Sequence, residues 1–263
     1  MADASTHFDD GAAYDRFMGR WSRAVGPAFL AWMAAPSRAR WLDVGCGSGA
    51  FTELILDTSE PAAVIGVDPA AGQIDYVRRG PLAERAQFQV ADAMALPFAD
   101  AAFDVVASSF VINFIPDRAR ALAQMRRVAR PGGMVAGCVW DFADDGGPNR
   151  PLRLAMGEIG VETKLPPGAA DTRLAALQGL FARAGLADIE TTVIDASAEF
   201  AGLDDLVRSQ TPPNHPLTTA INELSHADRT RLVELLRSSL PARADGRVAY
   251  SARAHAIKAR VPG

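Results

Sequence analysis

The chain has 263 residues, of which 49% are hydrophobic and 22% are charged, and this composition is ordinary for a globular protein with one sizeable core. The net charge of -4 argues against a nucleic-acid partner, because binding through phosphates requires a basic surface. No stretch resembles a signal peptide or a membrane span, and Cys46 and Cys138 show no metal-ligand spacing. We therefore expect a cytoplasmic protein without a metal site.

Residues 40–142 are predicted to alternate between strands and helices. Residues 1–20 look irregular and precede a helix over roughly 21–35, which Pro27 is expected to break or kink. Strands of near-continuous apolar residues separated by helices indicate a parallel sheet covered on both faces. The predicted strands are 40–44, 62–68, 86–92, 103–110 and 134–142, and the predicted helices are 50–57, 71–80 and 118–130.

The alternation ends after Phe142. A stretch rich in Gly and Pro at 143–168 predicts a loop with a short helix, a candidate lid. It is followed by an amphipathic helix and an alternating strand, at 172–186 and 188–200. Residues 201–241 look helical apart from "TPPNHP", and 246–260 predict a last, partly exposed, antiparallel strand.

The segment "WLDVGCGSGAFTELI" (41–55) predicts a strand, a glycine turn and a helix, which together can hold a nucleotide. Its glycines, Gly45, Gly47 and Gly49, have G-x-G-x-G spacing, whereas a dinucleotide fingerprint requires a glycine where Ala50 stands. A phosphate-binding P-loop would require Gly-Lys-Ser/Thr, which does not follow. Taken alone, the turn leaves several nucleotides open, as well as an ordinary structural role.

Carboxylates after the predicted strands narrow the choice of ligand. Asp68 ends the second strand, where a carboxylate accepts hydrogen bonds from ribose hydroxyls, in NAD enzymes as in others. Asp92 ends the third strand, where it would reach an exocyclic amine beside apolar residues. Asp43 lies two residues before the first glycine and would repel a phosphate but favour an ammonium or a sulfonium group. The pattern therefore predicts a cationic nucleoside without phosphates.

Five motifs in order, "LDVGCGSG", "GVDPA", "ADAMALPF", "FDVVASSFVINFIPD" and "RVARPGGMVAG", resemble those of class I S-adenosylmethionine-dependent methyltransferases. The resemblance covers about residues 40–140 and is closest to the small-molecule, type 11-like branch that includes the ubiquinone/menaquinone methyltransferases. It implies an α/β Rossmann-like fold with a seven-stranded, mostly parallel sheet, the last strand antiparallel, helices on both faces and a small helical cap. It also implies S-adenosylmethionine as cofactor and S-adenosylhomocysteine as product.

The resemblance assigns a role to each matching position. The backbone of Gly45, Cys46 and Gly47 would approach the methionine part and ribose of the cofactor, and Asp43 would orient that region near the amino group. Asp68 would hold the ribose, and Pro69 and Gln73 would line the adenosine. Asp92 and Ala93 would meet the adenine. Ser108 and Ser109 would form the floor beneath the methyl group.

The N-terminal "YDRFMGRWSR" resembles a segment that folds over the cofactor in bacterial relatives. Tyr14 and Arg20 are its candidate contacts, with the guanidinium pairing with the methionine carboxylate. The predicted organisation is a cofactor-covering segment and helix at 1–37, a core at 38–142, a lid at 143–171, the rest of the core at 172–200 and 246–263, and a helical cap insertion at 201–245.

Methyl transfer to a small organic acceptor is an in-line displacement that needs positioning rather than a protein nucleophile. A base is needed only for a poorly ionised acceptor, and His215 in the predicted cap is the weak candidate. Two alternatives remain: a catalytically inactive domain that binds S-adenosylmethionine as a regulatory or scaffolding subunit, and a dehydrogenase. The complete set of cofactor positions favours the enzyme.

Overall fold

The structure is a computed structural model that describes residues 19–211 and 216–263. Within these ranges, helices and strands alternate through the first half of the chain, as predicted. The helices are α1 (Arg20–Met33), α2 (Ala50–Thr58), α3 (Ala71–Arg78), α4 (Arg118–Val128), α5 (Arg150–Glu158), α6 (Leu174–Arg183), α7 (Leu203–Gln210), α8 (Pro216–Asn222) and α9 (His226–Ser239). The strands are β1 (Arg40–Val44), β2 (Ala63–Asp68), β3 (Gln87–Val90), β4 (Phe103–Ser109), β5 (Ala129–Trp140), β6 (Ala187–Phe200) and β7 (Val248–Arg260).

The seven strands form one sheet in the order β3-β2-β1-β4-β5-β7-β6. Neighbours from β3 to β5 pair in parallel, whereas β7 is antiparallel to both β5 and β6. The predicted fold class is thereby confirmed. The expectation of a partly exposed last strand is only partly met, because β7 lies inside the sheet and β6 forms the edge. Residues 254–257 of β7 are consequently all buried.

The strand order determines where a ligand can bind. Strands β2 and β4 lie on opposite sides of β1, so the chain leaves the middle of the sheet in both directions. In open α/β sheets of this kind, ligands bind in the crevice outside the carboxyl ends of the central strands. Here that crevice lies beyond Val44 and Ser109, and the glycine turn begins at its floor.

Helix α1 continues through Pro27 without the predicted break. Proline removes one hydrogen bond of the helix, but Trp21, Val25, Phe29 and Met33 share one face and are almost fully buried. The packing of this apolar stripe therefore outweighs the lost bond. The first turn of the helix reaches β6, and its later turns pack on α2.

Strand β5 begins at Ala129, five residues earlier than predicted. Its pairing with β4 moves from Phe103–Ala129 directly to Val105–Met134, so the intervening "RPGG" residues form a bulge. Gly132 has φ +71 there, a conformation that few side chains adopt. The sequence pattern of turn residues therefore marked a bulge within a strand rather than its start.

The two predicted insertions contain helices. Helix α5 lies in the 143–171 stretch, and α7, α8 and α9 lie between β6 and β7. Helix α9 contacts both α5 and α7. It begins at His226, and the Ser225 hydroxyl caps it by accepting the Asp228 N–H at 3.1 Å. No helix in the described part of the chain is long and apolar enough to cross a membrane.

Candidate functional site

The glycine turn after β1 is a tight backbone cradle. Gly45, Gly47 and Gly49 have φ values of +78, +52 and +89, a region that L side chains rarely adopt. The Gly45 and Cys46 N–H groups donate to the Val67 carbonyl of β2 at 2.7 and 3.0 Å. A Cβ on Gly45 would lie 2.5 Å from the side chain of Val111, so the turn also packs tightly on the segment after β4.

Asp68 is fixed at the end of β2, directly beside the turn. Its Oδ2 accepts the Gly47 N–H at 3.1 Å and its Oδ1 accepts the Ala70 N–H at 2.9 Å. Carboxylate oxygens accept more than one hydrogen bond, so these contacts are compatible with ribose hydroxyls as further donors. The structure thus brings Asp68 to the position at which the sequence reasoning expected it.

Asp43 is fully buried at the end of β1 and carries the most unusual electrostatics of the site. The Thr52 hydroxyl donates to its Oδ2 at 2.6 Å, while Oδ1 has no hydrogen-bond partner among the described residues. Burial is the main cause that raises the pKa of Asp43 to about 7; the Thr52 hydrogen bond lowers it, and the charge of Asp68 raises it. Ionising a fully buried carboxyl group is costly, and the positive charge of a cationic ligand would offset that cost.

The residues predicted to surround an adenine follow β2 and β3. These strands are neighbours in register, with Asp68 opposite Val90. Asp92 is exposed and its Oδ1 accepts the Met94 N–H at 2.8 Å, which caps the short 3-10 turn that begins with the buried Ala93. Two further predicted positions lie nearby in the chain: the exposed Pro69 and the buried Gln73 of α3.

The end of β4 is lined by buried polar and aromatic groups. Ser108 is fully buried and its hydroxyl has no hydrogen-bond partner within residues 19–211 and 216–263, whereas Ser109 is half-buried. Phe110 follows with φ +63, an unusual value for a bulky residue, and its ring stacks on Trp140 with centroids 4.4 Å apart. Trp140 lies at the end of a different strand, and its place beside Phe110 could not be predicted from the sequence.

Asn113 connects this region to the 143–171 stretch. Its amide Nδ2 donates to the Pro167 carbonyl at 3.2 Å, while its Oδ1 is buried and has no partner in the part of the chain that the structure describes. Arg118 adds an ion pair to Asp171 at 2.6 Å. The far end of the predicted lid is therefore held against the residues that follow β4.

The guanidinium of Arg20 contacts residues at and just after the end of β6, and its contact with the cofactor carboxylate stays a prediction. Its guanidinium donates to the Glu199 carbonyl at 2.8 Å, pairs with Asp205 at 3.2 Å and lies over the Phe200 ring. These partners lie at the end of β6, four strands from β1 in the sheet. The physical reason is that the first turn of α1 packs on β6.

No histidine of the described residues is placed as a catalytic base beside the glycine turn. His255 is buried on β7, with Nδ1 2.8 Å from the Thr172 carbonyl and Nε2 3.7 Å from the Asp141 carboxylate. The other predicted candidates, Tyr14 and His215, lie outside the described residues. The structure thus brings Asp43, the glycine turn and Asp68 together, and the cofactor roles assigned to them stay predictions.

Comparison with known proteins agrees with this geometry. Residues 42–137, which contain the glycine turn and the ends of β2, β3 and β4, match the family model described as "Methyltransferase domain". Residues 42–137 are therefore similar to a methyltransferase domain. This confirms the resemblance to class I methyltransferases and weighs against the dehydrogenase.

Two curated relatives are similar to part of the chain. The chain is 37% identical over 109 residues to a demethylmenaquinone methyltransferase of Roseiflexus castenholzii, covering 41% of this chain and 46% of that protein. It is 35% identical over 117 residues to a malonyl-[acyl-carrier protein] O-methyltransferase of Methylococcus capsulatus, covering 43% and 42%. The chain thus spans less than half the length of these curated relatives.

A solved structure shows the same fold over nearly the whole chain. The phosphoethanolamine N-methyltransferase 2 of Haemonchus contortus, solved in complex with S-adenosyl-L-methionine, superposes with a TM-score of 0.59. The sequence identity is 20%, and the match covers 96% of this chain and 57% of that one. The likeness therefore extends beyond the matched residues 42–137.

Proposed function

We propose that the protein is an S-adenosylmethionine-dependent methyltransferase that acts on a small organic acceptor. The observation that carries the proposal is the pair of carboxylates, Asp43 and Asp68, at a glycine turn inside a methyltransferase domain. One oxygen of Asp43 is buried without a hydrogen-bond partner in the described part of the chain, which suits a ligand that brings positive charge and disfavours one that brings phosphate. We further propose a cytoplasmic location.

The proposed cofactor site uses the residues that converge at the crevice. The backbone around Gly47 would contact the methionine part of the cofactor. Asp68 would accept hydrogen bonds from the ribose hydroxyls, and Asp92 would accept one from the adenine amine. The backbone carbonyl at Ser108 would face the ammonium group. The full proposed set within the described residues is Asp43, Gly45, Cys46, Gly47, Asp68, Pro69, Gln73, Asp92, Ala93, Ser108 and Ser109.

When bound, S-adenosylmethionine supplies a methyl group on a positively charged sulfur that departs as a neutral thioether. The chain's own task is to hold the acceptor in line with that bond, and positioning of this kind is worth about 7–11 kcal/mol. Phe110 follows the proposed floor directly and is held rigidly on Trp140. An aromatic face beside the sulfonium contributes about 0.5–2 kcal/mol.

The acceptor is proposed to bind beyond β4 and β5, under the predicted lid and cap. Asn113 and Trp140 are buried there. The amide Oδ1 of Asn113 and the indole Nε1 of Trp140 have no hydrogen-bond partner among the described residues. These two atoms suit a substrate that both donates and accepts hydrogen bonds. Asn113 also bonds the lid at Pro167, so acceptor recognition and lid position are proposed to be linked.

Calorimetric titration with S-adenosylhomocysteine tests the proposal on the wild type, Asp68→Ala and a control, Asp57→Ala. Asp57 is exposed and pairs with Arg85 on the surface, so its variant should bind like the wild type. Micromolar binding that is lost only in Asp68→Ala supports the site, and absence of binding in the wild type refutes it. Methyl transfer from labelled S-adenosylmethionine to a panel of phenols, quinols and amines then separates the enzyme from an inactive binder.

A further inference from the structure

We propose that Thr52 is a positioning residue that couples cofactor binding to the release of one proton from Asp43. The inference deepens the proposed function and rests on it, because it concerns the same cofactor site. It adds a pH dependence to binding that the site residues alone do not imply.

The geometry gives the two oxygens of Asp43 different roles. Thr52 lies in the first turn of α2, is fully buried, and donates its hydroxyl to Oδ2 at 2.6 Å. This bond leaves Oδ1, which has no partner in the described structure, as the oxygen that carries the proton in the neutral acid. Thr52 thus holds the carboxyl group in one orientation, with one oxygen satisfied and the other reserved.

The surroundings favour the neutral acid in the ligand-free protein. Burial is the main cause that raises the pKa of Asp43 to about 7, and the charge of Asp68 on the neighbouring strand adds to it. Cys46 adds no charge of its own, since burial and both carboxylates raise the pKa of its thiol well above the usual value and the thiol stays neutral. The neighbours on the flanking strands, Gly66 and Ala107, carry no charge.

A bound cation reverses this preference. Positive charge near Asp43 favours its ionised form, so the O–H bond at Oδ1 breaks, the proton passes to solvent and the carboxylate keeps the Thr52 hydrogen bond. By linkage, affinity then rises with pH below about 7 and levels off above it. Release is expected to be greatest at the acid end of the range and to fall as the pH rises through about 7.

Two substitutions of Thr52 separate positioning from packing. Thr52→Val keeps the shape but removes the donor, which raises the pKa of Asp43 further. The variant should bind about fivefold more weakly than wild type near pH 7, with a deficit that shrinks as the pH rises. Thr52→Ser keeps the donor and should restore the wild-type profile. A residue with only a packing role would lower affinity equally at every pH.

The test is calorimetric titration with S-adenosylmethionine between pH 5.5 and 8, in buffers of different ionisation enthalpy, which reports the protons released. Asp43→Asn is the reference because it cannot titrate, so any release that remains belongs to the ligand. Release in wild type and Thr52→Ser that is absent in Asp43→Asn supports the inference. Equal release in wild type and Asp43→Asn overturns it even if Thr52→Val fails to fold. No binding by the wild type at any pH overturns the proposed function itself.

Discussion

Replacing Asp43 by Asn should stabilise the ligand-free protein progressively as the pH rises. Asp43 is fully buried, and its pKa is raised from 3.8 to about 7 in the folded state. Between those values the unfolded chain loses the proton while the folded chain keeps it. The wild type therefore loses stability over this interval, whereas the asparagine variant does not titrate.

The magnitude follows from the two pKa values. The interval from 3.8 to about 7 corresponds to about 4 kcal/mol of unfolding free energy at about 1.4 kcal/mol per tenfold. Asn leaves a buried amide group partly unsatisfied at the Oδ1 position, which costs about 1–3 kcal/mol at every pH. Because this cost is constant, the pH dependence of the difference between the proteins isolates the titration. Between pH 5 and pH 8 that difference should change by about 3 kcal/mol in favour of the variant.

Urea unfolding of both ligand-free proteins at pH 5, 6.5 and 8 measures the difference by linear extrapolation. Asp100→Asn is the matched control, because Asp100 is largely exposed and pairs with Arg127 on the surface. Its effect should stay within about 0.5 kcal/mol. A difference between wild type and Asp43→Asn that does not change with pH would mean that Asp43 is already ionised in the fold, and the reasoning about its burial would fail.

Three further outcomes are expected. Gly45→Ala should abolish S-adenosylhomocysteine binding in calorimetry, because its Cβ meets a side chain at 2.5 Å; Gly160→Ala, with the same φ of +78 and no atom within 4 Å, should bind normally. Arg20→Ala should bind the same ligand within about twofold of wild type, since its partners lie at β6, and a larger loss would restore its predicted cofactor role. Burial raises the pKa of both thiols, so Cys46 and Cys138 should react with a maleimide only on unfolding, as followed by mass spectrometry; rapid labelling of the native protein would contradict this.

The sequence alone was sufficient for the features that depend on short stretches of chain. The glycine turn could be recognised because Gly45 and Gly47 need φ values that other residues rarely adopt. The parallel sheet could be predicted because each buried strand is a continuous apolar run. Asp68 was correctly placed beside the turn because the ends of neighbouring parallel strands lie at the same edge of the sheet.

Only the tertiary structure decided which side chains meet across the fold. Arg20 pairs with Asp205 and donates to the Glu199 carbonyl, since the first turn of helix α1 lies at β6. Phe110 stacks on Trp140 from another strand. The Thr52 hydroxyl donates to one oxygen of Asp43, and the other oxygen has no hydrogen-bond partner among the described residues. Periodicity and backbone preference act over a few residues, whereas these contacts depend on the packing of elements far apart in the chain.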